Sequence, residues 1–432
     1  MAEGGDGGAR PETEVPGITR RTFIKTAAVV GGAAIGLGVG LGGRALDRMA
    51  ERYRGENLTG SKMYEIDGNK VEVHWVESKP QSKKDQEVDP KKAVVAFAPW
   101  SWGAEMPIIK AGGQKIADGF GENTFTISTR TDKIGDDALL VEAKGATEFL
   151  KDPQVHQVAI SEVNIIGHSE GAITATDLTT VLEENNSQIK VNGLALFEPV
   201  GMYSRSVLEL GGRFFYNMVR AQKKEFEMAK KLPPKGGTLQ FLLSLWQDFR
   251  AFGWRYLVAA VEEGKTMARP NPNLQRVKAS VLVIASDRDN VSNHREYIPQ
   301  TEVNQRLKKP MSDDQLKAWV EQKDSQVKDK WDRLPAEAQA KFSSKEEFIN
   351  KYMKAYRKQE EMIRTGRARN QIFRESIVPQ AEKAIIIVGT KPAAHHTGLT
   401  DTRFEEAISV ARKFPHFSSP VKAAAQIDLA RK

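Results

Sequence analysis

The sequence predicts an α/β fold built on a mostly parallel central sheet flanked by helices. Three observations carry that expectation. Short apolar runs alternate with helical patterns through residues 93–197. One of them, Ala93-Val94-Val95-Ala96-Phe97-Ala98, is apolar throughout, as a strand covered on both faces must be. Another, Val163-Asn164-Ile165-Ile166, runs into Gly167-His168-Ser169-Glu170-Gly171 and then into a helical pattern, Ala172 to Leu178.

The elements follow in order. Met63–Ile66 and Val71–Val76 flank Asp67-Gly68, which reads as a hairpin forming an antiparallel edge. Residues 78–92 are polar and read as a loop. Residues 107–119 read as a helix, Thr124–Ser128 as a strand, and 136–151 as a helix with Leu139, Leu140, Ala143, Ala146 and Leu150 on one side. The helix after Gly171 runs to about 185, and Val191–Phe197 is the next strand. The alternation then stops. Residues 203–268 are helical and rich in aromatics, divided by Pro233-Pro234-Lys235-Gly236-Gly237. It resumes with Ser280–Ala285. Residues 295–380 are charged amphipathic helices, with Trp319, Trp331, Phe342, Phe348, Tyr352 and Tyr356 expected to face inward. Ala384–Val388 is the last strand, and a helix near 403–413 closes the pattern.

Composition excludes several function classes. The chain has 432 residues, 40% hydrophobic and 28% charged, enough for a sizeable soluble core. The net charge of +8 is spread through segments that mix Lys and Glu, so no nucleic-acid partner is expected. With no cysteine, disulfides, zinc-thiolate sites and cysteine nucleophiles are excluded.

The N-terminus carries a targeting pattern. Thr19-Arg20-Arg21-Thr22-Phe23-Ile24-Lys25 resembles the twin-arginine export signal, S/T-R-R-x-F-L-K, and the mildly hydrophobic Ala27 to Gly43 follows it. The resemblance implies the twin-arginine translocation machinery as a partner. It also implies a folded protein exported across the cytoplasmic membrane, to end periplasmic, extracellular or membrane-anchored. No Ala-x-Ala site occurs; the closest small-x-small site is Gly43-Arg44-Ala45. A helix over 27–43 spans roughly 26 Å, slightly short of a ~30 Å hydrocarbon core. Cleavage and an anchor at residues 27–43 both stay open.

A serine hydroxyl is a poor nucleophile unless it is presented sharply and a base takes its proton. G-x-S-x-G between a strand and a helix is the setting for such presentation. The five-residue match alone is one that chance produces in a chain with 35 glycines. The strand before it, the helix after it and the residues downstream add weight.

On these residues the chain resembles the α/β-hydrolase superfamily, over roughly residues 63–415. The resemblance implies an α/β-hydrolase fold with a helical lid insertion and a second, charged helical insertion. It implies Ser169 as nucleophile, then an acid, then a histidine, in that order. The acid is expected after the seventh strand, in Ser286-Asp287-Arg288-Asp289-Asn290-Val291. Asp289 fits best, with Asp287 and Glu198, at the end of the sixth strand, as alternatives. The histidine is expected after the last strand, where His395 fits best and His396 is the alternative. The oxyanion donors are the backbone N–H of Glu170 and one from the loop Ala98-Pro99-Trp100-Ser101-Trp102-Gly103, taken as Trp100. Ser101 is the alternative donor. The adjacent histidines, with no carboxylate or further histidine nearby, make a poor metal site, and no cofactor is expected.

The division that follows is 1–60 (disordered N-terminus, signal or anchor, linker), 61–202 (first part of the core) and 203–275 (helical lid). After these come 276–294 (core strand and acid loop), 295–380 (charged insertion) and 381–432 (last strand, histidine loop, C-terminal helix). The expected function is an exported serine hydrolase cleaving an ester or amide through a Ser-His-Asp triad. An acyltransferase or cofactor-free haloperoxidase fits the same fold. The alternative class is a non-catalytic envelope protein that binds a partner through its charged insertion. The 203–268 aromatics fit an apolar ceiling over Ser169, or equally a helical pair packed for itself.

Overall fold

The computed structural model describes residues 43–81, 88–99, 103–185, 187–207, 209–210, 213, 262–286, 298–307, 313–389 and 402–414. In chain order the elements are α1 (Gly43–Asn57), β1 (Gly60–Ile66), β2 (Asn69–Ser78), β3 (Lys92–Phe97), α2 (Pro107–Phe120), β4 (Asn123–Thr131) and α3 (Ala138–Lys151). Next come β5 (Glu162–His168), α4 (Gly171–Glu184), β6 (Lys190–Phe197) and β7 (Ser280–Ser286). Four helices, α5 (Gln300–Leu307), α6 (Asp313–Asp332), α7 (Ala336–Gln339) and α8 (Lys345–Ile372), precede β8 (Ala384–Gly389), and α9 (Thr402–Lys413) follows it.

The eight strands form one sheet in the order β1-β2-β4-β3-β5-β6-β7-β8. β1 and β2 pair antiparallel, as do β2 and β4, and every other neighbouring pair is parallel. The result is an α/β fold with a mostly parallel sheet and flanking helices. The opening hairpin turns through Asp67 (φ 51°) and Gly68 (φ 77°), two successive left-handed residues, which Asp-Gly tolerates and a right-twisted hairpin requires.

The central strands are buried on both faces, and alternation along them divides the core in two. Val94 and Ala96 pack with Ile109, Ile116 and Phe120 of α2 and Ile408 and Val410 of α9. Val95 and Phe97 face the other way, with Phe149 of α3, Leu178 of α4 and Ile372 of α8. α4 is buried from Gly171 to Leu182. Its threonines fit there because Thr176, Thr179 and Thr180 return their hydroxyls to carbonyls one turn back, at 2.7–3.1 Å.

Residues 43–57, in the stretch expected to hold the signal or anchor and the linker, form a helix. An Arg52–Glu56 pair at i,i+4 runs along its exposed side, and Leu58 N–H closes onto the Arg54 carbonyl at 2.8 Å. α6 and α8 share a small separate core of Val327, Phe348 and Met353, flanked by Trp331, Phe342, Tyr352 and Tyr356. Trp319 stays half-buried. Among the described residues, no helix is long and apolar enough to cross a membrane. The twin-arginine residues, the 27–42 stretch and most of 203–261 lie outside the described residues.

Candidate active site

Ser169 sits between the last residue of β5, His168, and the first of α4, Gly171. Its φ is 56°, a left-handed conformation that costs an L-residue with a β-carbon roughly 1–2 kcal/mol. Three main-chain bonds hold it there: Ser169 N–H donates to Phe197 O at 3.0 Å, and Ser169 O accepts from Ala172 and Val200 N–H at 3.2 Å. Strain held this firmly, on a buried serine at a strand–helix junction, is what a nucleophile elbow demands.

The two motif glycines explain the tightness. A β-carbon on Gly167 would stand 2.5 Å from Ala172 Cα and 2.6 Å from the Gly171 carbonyl oxygen. One on Gly171 would stand 2.6 Å from the Ala98 carbonyl oxygen and 2.8 Å from that of Phe97. Both positions therefore exclude any side chain. The second close approach joins the start of α4 to the end of β3, where the expected oxyanion loop leaves the sheet.

Glu170 is the N-cap residue of α4, so its amide lies at the positive end of that helix. Its carboxyl is buried, and burial, with the Glu263 carboxylate adding, raises it to about 8. Glu142 of α3 belongs to the same group. Burial raises it well above the ordinary range, the Glu170 and Glu263 carboxylates add, and hydrogen bonding from the Thr129 hydroxyl (2.8 Å) and the Arg130 charge oppose. This carboxyl group was missed at the sequence level, although Glu142 left a signal. It lies three residues after Leu139 and four before Ala146, on an apolar helix face.

Glu198 directly follows β6, also with a left-handed φ, 44°, and its N–H donates to Ile284 O at 2.8 Å. Its carboxylate lies 3.8 Å from His168 Nε2. The expected Trp100, Asp287, Asp289, His395 and His396 lie outside the described residues. The segments that carry them leave from the carboxyl ends of β3, β7 and β8. These ends are aligned with the elbow through the pairs Phe97–Gly167, His168–Phe197, Phe197–Ile284 and Ser286–Gly389. In an open α/β sheet this edge is where ligands bind.

The described ends of the 203–268 segment meet beside the elbow. Arg205 N–H donates to Ala268 O and Asn271 N–H to Gly201 O, each at 2.7 Å. Leu139, Ile173, Val200, Leu210 and Met267 pack there, Ile173 lying in the first turn of α4. Asn271 and Asn273 both donate to Asp177 Oδ1 at 2.9 Å, and burial still raises that carboxyl to about 6. Among the described residues, no group of three or more His, Asp or Glu is placed to hold a metal.

Neither a protein-family model nor a curated protein matches the sequence. Solved structures similar to it include an α/β-hydrolase fold protein from Chitinophaga pinensis, with 10% identity and a TM-score of 0.41 over 82% of this chain and 96% of that one. A probable hydrolytic enzyme from Pseudomonas aeruginosa is similar at 13% identity and 0.40, over 82% and 93%. A thermophilic esterase from Thermogutta terrifontis is similar at 12% identity and 0.40, over 83% of this chain and all of that one. At such identities and scores the functional reading rests on the elbow itself.

Proposed function

We propose that the protein is a serine hydrolase of the α/β-hydrolase type that cleaves an ester, or an amide, through an acyl-enzyme. The observation that carries the reading is the left-handed φ of Ser169 between two glycines whose positions admit no side chain. In this reading His395 takes the Ser169 proton as the hydroxyl attacks the carbonyl carbon, and Asp289 orients the imidazole. The amides of Glu170 and Trp100 bind the oxyanion. His395 then protonates the leaving group, and a water activated by the same histidine releases the acid. His396, Asp287 and Ser101 are the alternatives for their roles. Glu198, whose carboxylate lies 3.8 Å from His168 Nε2, is a further alternative for the acid.

Residues 203–275 act as a lid in this account, supported by the apolar packing of their ends on the first turn of α4. Ser169 is buried, which accords with a covered site. The twin-arginine pattern supports export. Residues 1–55 fused to a reporter should carry it across the cytoplasmic membrane, and Arg20→Lys with Arg21→Lys should stop it.

The test of activity is turnover of a panel of p-nitrophenyl esters of two to sixteen carbons by the full chain, with detergent present to open the site. Ser169→Ala should lose at least about 1000-fold. Equal turnover by the folded variant would remove the hydrolase reading. It would favour the second one, a partner-binding envelope protein, which the separate core of α6 and α8 supports.

A further inference from the structure

Two of the main-chain bonds that hold Ser169 run to one turn. Ser169 N–H donates to Phe197 O at 3.0 Å, and Ser169 O accepts from Val200 N–H at 3.2 Å. A left-handed serine persists only while its surroundings hold it, so what holds this turn matters. Its first end is fixed to the sheet, since Glu198 N–H donates to Ile284 O at 2.8 Å. Its second end is Gly201, with φ 74°, seated so close to Ile173 of α4 that a β-carbon would stand 2.9 Å from that side chain.

Gly201 is held in turn by Asn271, whose N–H donates to Gly201 O at 2.7 Å. The Asn271 side-chain amide donates to Asp177 Oδ1 at 2.9 Å and lies 3.4 Å from the Ile173 carbonyl oxygen, both on α4. Asn271 Oδ1 accepts from Asn273 N–H at 2.9 Å, capping the short turn Pro272–Gln275. Asn273 Nδ2 donates to the same Asp177 oxygen at 2.9 Å. Asn271 and Asp177 are both buried, so breaking one of these bonds strands a polar atom away from water. The bonds close a circuit. It runs from Ser169 along α4 to Asp177, across to Asn271, on to Gly201, and through Val200 back to the Ser169 carbonyl. Val200, Ile173 and Met267 pack together beside it.

The Ser169 carbonyl and the Glu170 N–H belong to one peptide unit, and a trans peptide is planar. Holding the carbonyl therefore sets the direction of the N–H. We propose that Asn271 is a positioning residue for the oxyanion site: through Gly201 and Val200 it holds the Ser169 carbonyl, and with it the Glu170 amide. The inference rests on the hydrolase reading, because the direction of that amide matters for rate only if an oxyanion forms beside Ser169. Asn271 touches no reacting atom. An oxyanion donor acts on the transition state and not on the bound ground state. Loosening the circuit should therefore slow the chemical step and leave binding unchanged.

The test is the rate of Ser169 phosphonylation by a fluorophosphonate, separated into the maximal rate and the half-saturating concentration. Asn271→Ala and Asp177→Ala in the full chain should each lower the maximal rate about 10- to 100-fold. The half-saturating concentration should stay within about twofold. Asp177→Asn, which keeps an oxygen for the two amides to donate to, should react within about threefold of wild type. Hydrogen exchange at the Val200 N–H, a readout that needs no activity, should quicken at least about fivefold in Asn271→Ala. If Asn271→Ala fails to fold, Asn271→Ser, which keeps the capping oxygen but cannot reach Asp177, takes its place and should show the same slow step. A folded variant of Asn271 that reacts at the wild-type rate, or an Asp177→Asn variant as slow as Asp177→Ala, overturns the positioning role and leaves the hydrolase reading standing. Unchanged exchange at Val200 overturns it as well. A wild-type protein that never reacts at Ser169 removes both.

Discussion

Gly171 begins helix α4 so close to Ala98 that a β-carbon on it would stand 2.6 Å from the Ala98 carbonyl oxygen. Helix α4 and strand β3 are thus in contact through bare backbone. Gly171→Ala must push α4 and β3 apart, since neither neighbour is a flexible side chain. The expected cost is about 1–3 kcal/mol of stability and at least a tenfold loss in Ser169 reactivity. Urea denaturation and labelling kinetics on the same sample check both. A variant with wild-type stability and reactivity would show that the contact does not position the site.

Ser169 stores strain that its own β-carbon creates. Ser169→Gly removes the hydroxyl and the strain together. Glycine's greater freedom in the unfolded chain offsets part of the gain, so the variant should be more stable by up to about 1 kcal/mol while inert. Ser169→Val keeps the strain and adds branching, and should be less stable than wild type. The reverse order in thermal denaturation would contradict the elbow geometry.

Glu170 makes stability depend on pH with a definite sign. Its folded-state value, about 8, lies above the ordinary 4.5, so between these the folded protein binds the extra proton. Stability from this group is fully present below pH 4.5, falls as pH rises to about 8, and is level beyond. The Glu263 carboxylate acts in the same direction on Glu170, and Glu170 and Glu263 both raise Glu142. Glu170→Gln should therefore match wild type near pH 4 and exceed it by a few kcal/mol at pH 8. Urea midpoints at pH 4, 6 and 8 measure this. A difference that does not grow with pH would show that the Glu170 carboxyl is not held neutral by burial.

Much of the fold was legible because local pattern and tertiary role agree. Asp67-Gly68 announces its own turn, and the unbroken apolar run 93–97 announces a strand covered on both faces. β4 runs three residues past Ser128 because its polar Thr129-Arg130-Thr131 pairs with Val71 to Val73 of β2, a gain no local pattern records. α1 was hidden for a similar reason. It draws its place from Arg54 meeting Glu105, residues far apart in sequence. At the site, the glycines around Ser169 were legible because their constraint is local. The carboxyl group of Glu142, Glu170 and Glu263 was not, because it assembles from residues far apart in sequence. Asp289, His395 and Trp100 remain expectations of motif and order.

The central claim is that Ser169 is a nucleophile. The most direct measurement is mass-spectrometric mapping of the full-length protein after reaction with a fluorophosphonate in detergent and in organic cosolvent. The account predicts one phosphonyl adduct, on the peptide containing Gly167-His168-Ser169-Glu170-Gly171, absent from Ser169→Ala and from heat-unfolded protein. No adduct on Ser169 under any of these conditions, in protein shown to be folded, would contradict it.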